Sequence, residues 1–266
     1  MNKKINWFWD GGASFTSEYQ AVLDRATTLG YTHPSDSVKM AQNQLVKDLK
    51  DAGIWTLLDI LYVPANDVSG NFWKLNWITP ASFECTEPAG AVTKSNNGIQ
   101  GNGTTTYADT NFIPETHATK MTTNGSASQF AYLHTVPSTG FQFCGYRQSP
   151  QMHYLSYGGE LSFVYRTLNT SAGTQYVDGT PSGSFMYADA TTAQYSLWKD
   201  GVSVQSSLIV LSLGLGAYNI WLCASNGTGG GYSNAIVSFY GTGAILTGKE
   251  MALYTAWNTY KTAIGI

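Results

Sequence analysis

The residues able to do chemistry are few and poorly spaced for it. The four histidines, His33, His117, His134 and His153, form no H-x-x-x-H or H-E-x-x-H pattern, so no metalloenzyme motif is present. Cys85, Cys144 and Cys223 are odd in number and contain no C-x-x-C pair, which predicts three buried thiols rather than a disulfide framework or a zinc site. No G-x-S-x-G elbow occurs. Gly98, Gly101 and Gly103 lead into Thr104-Thr105-Thr106 rather than into a helix, so they do not cradle a phosphate.

Paired carboxylates are the remaining route to catalysis. A glycosidase places two acids roughly 5–9 Å apart across the scissile bond, and acids at alternate positions of one strand share a face. The β-rich body offers Glu84, Glu87, Asp109, Glu115, Glu160, Asp178, Asp189, Asp200 and Glu250, with no two at i and i+2. Asp189 falls near a strand end, Asp178 and Asp200 fall in turns, and Glu250 reads as a helix cap. The expectation is therefore a chain that is not an enzyme, with no catalytic residue and no resident metal.

Sugar-binding chemistry is better supplied. Such sites stack an aromatic face on the ring and surround it with amides, hydroxyls or calcium. Tyr187, Tyr195, Trp198, Trp221 and Tyr232, with the loop that starts at Asn226-Gly227, are the candidate glycan contacts, against the alternative that alternating aromatics are simply core. Calcium needs clustered oxygens. The nearest approaches are Asn66-Asp67 and Asp178-Gly179-Thr180, so no cofactor is expected. The N-x-S/T matches at Asn102, Asn124, Asn169 and Asn226 read as turns.

Composition narrows the class. Charged residues are 12% of the 266, against about 25% in a typical soluble domain. Aromatics are 14% and net charge is only −3, which argues against disorder. With 14 Lys+Arg and no basic run, a nucleic-acid partner is not expected. No apolar stretch reaches membrane-spanning length, and no apolar segment follows Lys3-Lys4, so neither a membrane span nor a signal peptide is expected. Residues 1–90 carry 17 charged side chains whereas residues 91–248 carry 11, which separates a charged helical front from a charge-poor body.

The elements follow from the periodicity. Ser17-Glu18-Tyr19-Gln20 fits a capping box ahead of a helix with Tyr19, Val22, Leu23 and Ala26 on one face. A second helix follows Pro34-Ser35 and stops at Gly53, and Ile54–Val63 reads as a buried strand. From about residue 82 short strands alternate with turn signals such as Asn97-Gly98 and Asn226-Gly227. Those strands include Ala81–Cys85, Thr105–Asp109, Gln129–Thr135 and Ala235–Tyr240. Asp200-Gly201 between Tyr195-Ser196-Leu197-Trp198 and Val202-Ser203-Val204 predicts a type I′ hairpin. Thr247-Gly248-Lys249-Glu250 reads as a capping box, with Leu246 stapling to Met251, for a closing helix over 247–262.

Two segments carry a resemblance. One runs from Asn43-Gln44-Leu45 through Gly53-Ile54-Trp55 to Leu58-Asp59-Ile60-Leu61-Tyr62-Val63. It continues in Asn76-Trp77-Ile78-Thr79-Pro80 and in Gly101-Asn102-Gly103 through Phe112-Ile113-Pro114, and it resembles a recurrent block of bacteriophage structural proteins. The other, Val237-Ser238-Phe239-Tyr240-Gly241 through Leu246-Thr247 to Tyr254, resembles the last strand and closing helix of concanavalin A/laminin-G-like domains. The Trp198-Lys199-Asp200-Gly201 turn is similar to that superfamily's hairpins.

The resemblance implies a mainly β chain, an antiparallel jelly-roll β-sandwich of laminin-G type. Residues 1–80 would form a helical attachment segment with a buried strand, and residues 81–266 the sandwich. It implies a non-enzymatic component of a tailed-phage virion, made in the host cytoplasm. The role would be capsid decoration, head fibre or tail protein, assembled as a homo-oligomer with other virion proteins and free to touch host polysaccharide. Trp7, Phe8, Trp9, Tyr254 and Trp257 are the expected assembly contacts, the alternatives being that the 7–9 segment is a strand edge tucked into the core and that the closing helix packs its aromatics on the sandwich. A glycan-binding adhesin and a polysaccharide-degrading enzyme are the alternatives.

Overall fold

The computed structural model describes residues 15–66, 68, 70–122, 126–135, 142–148, 151–157, 162–167, 174–177, 183–190, 194–208, 214–227 and 231–266. Within these, the side chains at 148, 151, 152, 157, 162–167, 174–177, 194, 195, 205, 207 and 208 lie outside the description. Helices α1 (Ser17–Thr28) and α2 (Asp36–Asp51) precede β1 (Leu58–Tyr62), β2 (Thr93–Ser95), β3 (Gly98–Gln100) and β4 (Ala108–Asp109). The short α3 (Pro114–His117) leads to β5 (Ala127–Thr135), β6 (Gln142–Gln148), β7 (Gln151–Tyr157), β8 (Ser162–Thr167) and β9 (Thr174–Val177). Then follow β10 (Ser184–Ala190), β11 (Gln194–Lys199), β12 (Val202–Leu208), β13 (Trp221–Leu222), β14 (Ala224–Ser225), β15 (Gly231–Tyr232), β16 (Ile236–Gly243) and α4 (Glu250–Ala263).

Two large antiparallel sheets result among the described residues, with a separate two-stranded one, β14-β15. The first runs β12-β11-β10-β5-β16-β3-β2, and β1 joins β16 along the edge where β3 stops. The second runs β4-β13-β6-β7-β8-β9. Strand alternation gives the first sheet two apolar faces. Ala131, Leu133, Met186, Ala188 and Tyr240 pack with Cys144, Tyr146, Leu155 and Leu222 of the second sheet. Phe130, Tyr132, Phe185, Tyr187 and Phe239 pack instead with Leu45, Val46, Leu49, Trp257 and Tyr260 of the helices. The chain is therefore mainly antiparallel β, in the manner of a β-sandwich, with a helix layer on one side and α4 closing it.

The helices form for the expected reasons, with shifted ends. The first cap is Thr16, whose Oγ1 accepts from the Tyr19 amide at 3.3 Å, and Ser17 is already helical. Gly53, at φ 64, takes the left-handed turn that lets the Ile54 amide reach the Leu49 carbonyl at 2.8 Å. The expected strand over 54–63 is divided into a 3₁₀ turn, Trp55–Leu57, and β1. Ala81–Cys85 is not a strand, because Phe83 sits at φ 60 and breaks extended backbone. Cys223, at φ 63, likewise splits the expected Asn219–Ala224 strand into β13 and β14. α4 begins at Glu250 without a side-chain cap from Thr247, and Met251 is 50% exposed rather than stapled under Leu246. The Asp200-Gly201 turn has φ 50 and 78 as a type I′ turn requires, and a Cβ on Gly201 would meet the Met251 sulfur at 2.8 Å. All three cysteines are buried and unbridged.

Candidate functional site

The residues marked by the sequence as sugar contacts separate into two groups on different sheets. Trp221, Asn226 and Tyr232 meet at the β4–β13 edge of the second sheet, while Tyr187 and Trp198 lie on the helix-facing side of the first. The Tyr195 side chain lies outside the described residues.

At the edge, β13 pairs antiparallel with β4 so that Trp221 stands opposite Asp109. The indole N–H donates to Asp109 Oδ2 at 3.1 Å, and the Asn219 amide donates to both carboxylate oxygens at 2.9 and 3.0 Å. Tyr107, just before β4, stacks on Trp221 with centroids 3.7 Å apart and planes 20° apart. Tyr232 stands 6.2 Å from Tyr107. The backbone of Asn226 bridges to β6 through the Gly145 carbonyl and the Arg147 amide, and its side chain donates to the Asn219 carbonyl at 3.2 Å. Tyr107, Asp109, Asn219, Trp221, Asn226 and Tyr232 are all half-buried, fixed in place yet reachable. Burial first, and the Asp109 carboxylate second, raise the Tyr107 phenol above its ordinary pKa, which keeps it a hydrogen-bond donor. The side-chain oxygens of Asn219 and Asn226 accept no hydrogen bond among the described residues. The arrangement offers an aromatic face flanked by open amide and phenol groups.

The second group is drawn together by the β10–β11 register, which sets Tyr187 opposite Trp198 and Asp189 opposite Ser196. Tyr187 is only 1% exposed, so it presents no ring face to a sugar. Its hydroxyl accepts from the Leu246 amide at 2.9 Å and donates to Asp189 Oδ2 at 3.2 Å. Beside it is a cavity of about 280 Å³ lined by Asp189, Ser196, Trp198, Thr247 and Glu250 among others. Burial, with the Glu250 carboxylate adding to it, pushes Asp189 up to about 6 despite hydrogen bonds from Tyr187 and Ser196. Two acids that strand arithmetic kept apart thus share one wall, because α4 brings Glu250 against β10.

Other expected contacts resolve differently. Trp257 is fully buried and stacks on Phe239 at 4.6 Å, so it holds α4 to the sheet and is not an assembly surface. Tyr254 is half-buried, 6.1 Å from Phe185. Trp7, Phe8 and Trp9 lie outside the described residues, as do Asp67 and the 178–180 turn proposed for calcium. Asn66 is spent on its own turn, accepting from the Val68 amide and donating to the Pro64 carbonyl. Among the described residues, no three His, Cys, Asp or Glu gather as a metal site, and no helix is long and apolar enough to cross a membrane. Tyr107 and Asn219 are functional candidates that the sequence reading missed, while Asp109, Asp189 and Glu250 were weighed there only as carboxylates and set aside.

No family model and no curated relative matches the chain. Solved structures do. A Trypanosoma rangeli sialidase in complex with 2,3-difluoro-KDN matches with TM-score 0.57 and 11% identity, over 84% of this chain and 40% of that one. A mutant of the same sialidase displaying trans-sialidase activity matches with TM-score 0.55 and 10% identity, over 82% and 39%. The botulinum neurotoxin serotype D binding domain matches with TM-score 0.50 and 7% identity, over 76% and 52%. The chain thus spans about 40% of the sialidases' length, and the likeness is one of fold. It corrects the expectation of a chain that is not an enzyme, since the structures sharing this fold include sialidases, which are enzymes. At this identity it assigns no catalytic residue.

Proposed function

We propose that the chain is a carbohydrate-recognition module built on a laminin-G-type jelly-roll sandwich, and that Trp221 is its central contact. The observation that carries this is the Tyr107–Trp221 stack at 3.7 Å, with the Trp221 indole N–H held at its edge by Asp109. A preordered aromatic face loses little entropy on binding, and the apolar C–H face of a sugar ring packs on it. Asn219, Asn226 and the two phenols then supply hydrogen bonds that select hydroxyl orientation.

The setting is the surface of a phage particle, a reading supported by the resemblance of the 43–63 and 101–114 blocks to phage structural proteins. Mass spectrometry of purified particles tests that setting. A glycan array probed with the wild-type chain and Trp221→Ala tests the recognition itself. The expected outcome is binding to a restricted set of neutral glycans that Trp221→Ala loses about tenfold or more, matching the removal of one stacked aromatic. Binding to no glycan, or binding indifferent to Trp221→Ala, refutes it. Reducing-end assays on bound glycans show whether recognition is followed by cleavage.

A further inference from the structure

We propose that His153 is an acid-operated latch between the two sheets: protonation of its ring in mildly acidic solution parts the second sheet from the first while the helix layer stays packed. Strand alternation puts His153 and Leu155 of β7 on one face, and Leu155 packs in the core between the sheets. His153 is only 1% exposed, and its ring stacks on Tyr146 of β6 with centroids 5.8 Å apart. Across the gap its Nε2 meets Thr242 Oγ1 of β16 at 3.1 Å. The Thr242 hydroxyl proton goes to the Ser128 carbonyl at 2.5 Å; the Met121 sulfur at 3.2 Å is a far weaker acceptor. Thr242 Oγ1 therefore accepts from His153, which puts the ring proton on Nε2 and leaves Nδ1 as a bare acceptor. Nδ1 is buried and has no hydrogen-bond partner among the described residues.

A second proton would have to enter at Nδ1 and create an imidazolium between two apolar faces. No described anion answers it. The groups around the ring are Cys144 and Tyr146 of β6, Gln129 of β5, Tyr240 and Thr242 of β16, and Met121, all neutral, while Arg147 of β6 is exposed. Burial alone pushes the ring down to about 3, against its ordinary 6.5. The competing explanation is a histidine that is merely buried, free to swing into water when it takes the proton. The fit around β7 forbids this. A Cβ at Gly145 would stand 2.0 Å from the His153 carbonyl, so the ring reaches water only if the strands part. The sign follows from the lowered value: the latch holds above about 6.5 and loses strength as pH falls toward about 3. Asp189, on the helix side of the first sheet, runs the other way. Its carboxyl, raised to about 6, favours the folded state as pH falls, so acid loosens one layer and not the other.

Amide hydrogen exchange of the full chain, read by NMR at pH about 7.5 and about 5, tests this. With the ring at about 3 when packed and at its ordinary 6.5 when exposed, the parted population is expected to rise about thirtyfold between those two conditions. Protection factors at residues 144–146 and 153–156 are expected to fall by that factor, while those at 186–189 of the first sheet hold or rise. His153→Gln keeps an N–H for Thr242 but does not titrate, so its protection at 153–156 is expected to change less than about threefold. Ring nitrogen shifts of wild-type His153 need no variant, and they are expected to show a neutral Nε2–H tautomer down to pH about 4. A ring that titrates near 6.5 in the folded chain, second-sheet protection indifferent to acid, or an equal acid response in the glutamine variant overturns the proposal. None of these readouts involves a glycan, so failure of the latch is told apart from failure of the Trp221 face.

Discussion

Asp189 holds its proton up to about 6 because burial strips water from its carboxylate and Glu250 adds like charge. In the unfolded chain the same group ionises near its ordinary 3.8, so between the two values the folded state binds the extra proton. Stability is therefore highest at low pH for this group and is lost as pH rises through about 6, a loss of about 3 kcal/mol. Asp189→Asn is expected to raise the melting temperature by several degrees near neutral pH and to change it little near pH 4, as thermal scans across that range would show. Trp221 illustrates the opposite design, a residue whose neighbours already satisfy it. Asp109→Ala removes the acceptor that fixes the indole and should weaken glycan binding several-fold without touching the sugar, measured by titration beside a shift in Trp fluorescence. Residue types alone named Trp221, Asn226 and Tyr232 as contacts. They did not reveal Asp109 as the residue that fixes the Trp221 indole, because the pairing partner of a strand residue is not written in its own neighbourhood.

Elements show where local rules suffice. Helical periodicity places Tyr19, Val22, Leu23 and Ala26, and Val38, Ala41, Leu45, Val46 and Leu49, on inward faces, and the structure buries all of them except Ala41, which is half-buried. The Asp200-Gly201 hairpin forms as its turn chemistry demands. Caps were less legible, since Thr16 competes with Ser17 for the same amides and only the approach of Asn43, whose Oδ1 accepts from the Thr16 amide at 2.8 Å, selects between them. The docking of α4 depends on Trp257 and its stack on Phe239. Trp257→Ala should cost about 3–5 kcal/mol, read as a lower midpoint in urea denaturation. β1 carries a further anchor. Asp59, 6% exposed, accepts from the amides of Thr119, Lys120 and Met121 and from the Thr119 hydroxyl, all between 2.7 and 3.0 Å. Asp59→Ala leaves those donors unpaired and should cost about 3 kcal/mol or more, with hydrogen exchange rising first at residues 119–121.

The molecule as a whole is layered: helices, a first sheet apolar on both faces, and a second sheet. The Trp221 face lies in the stretch from 91 to 248 that carries only 11 charged side chains, so neutral glycan binding there should change less than about twofold between low and high salt. Titration at two ionic strengths checks this, and a steep salt dependence would contradict recognition by stacking. The sequence by itself determined the class: sparse charge, alternating apolar residues and Gly-rich turns can form only a β-rich body, and periodicity determined the flanking helices. Which aromatics are core and which are surface was decided by tertiary structure alone. Tyr187 and Trp257 read like Trp221 in sequence, yet helix packing on the second face of the first sheet buries them. The acid pair was decided in the same way. Asp189 and Glu250 are distant along the chain and each has a local explanation. Only the fold, by laying the start of α4 against β10, puts two carboxylates at one cavity, because contacts between distant segments depend on how layers stack and not on local spacing.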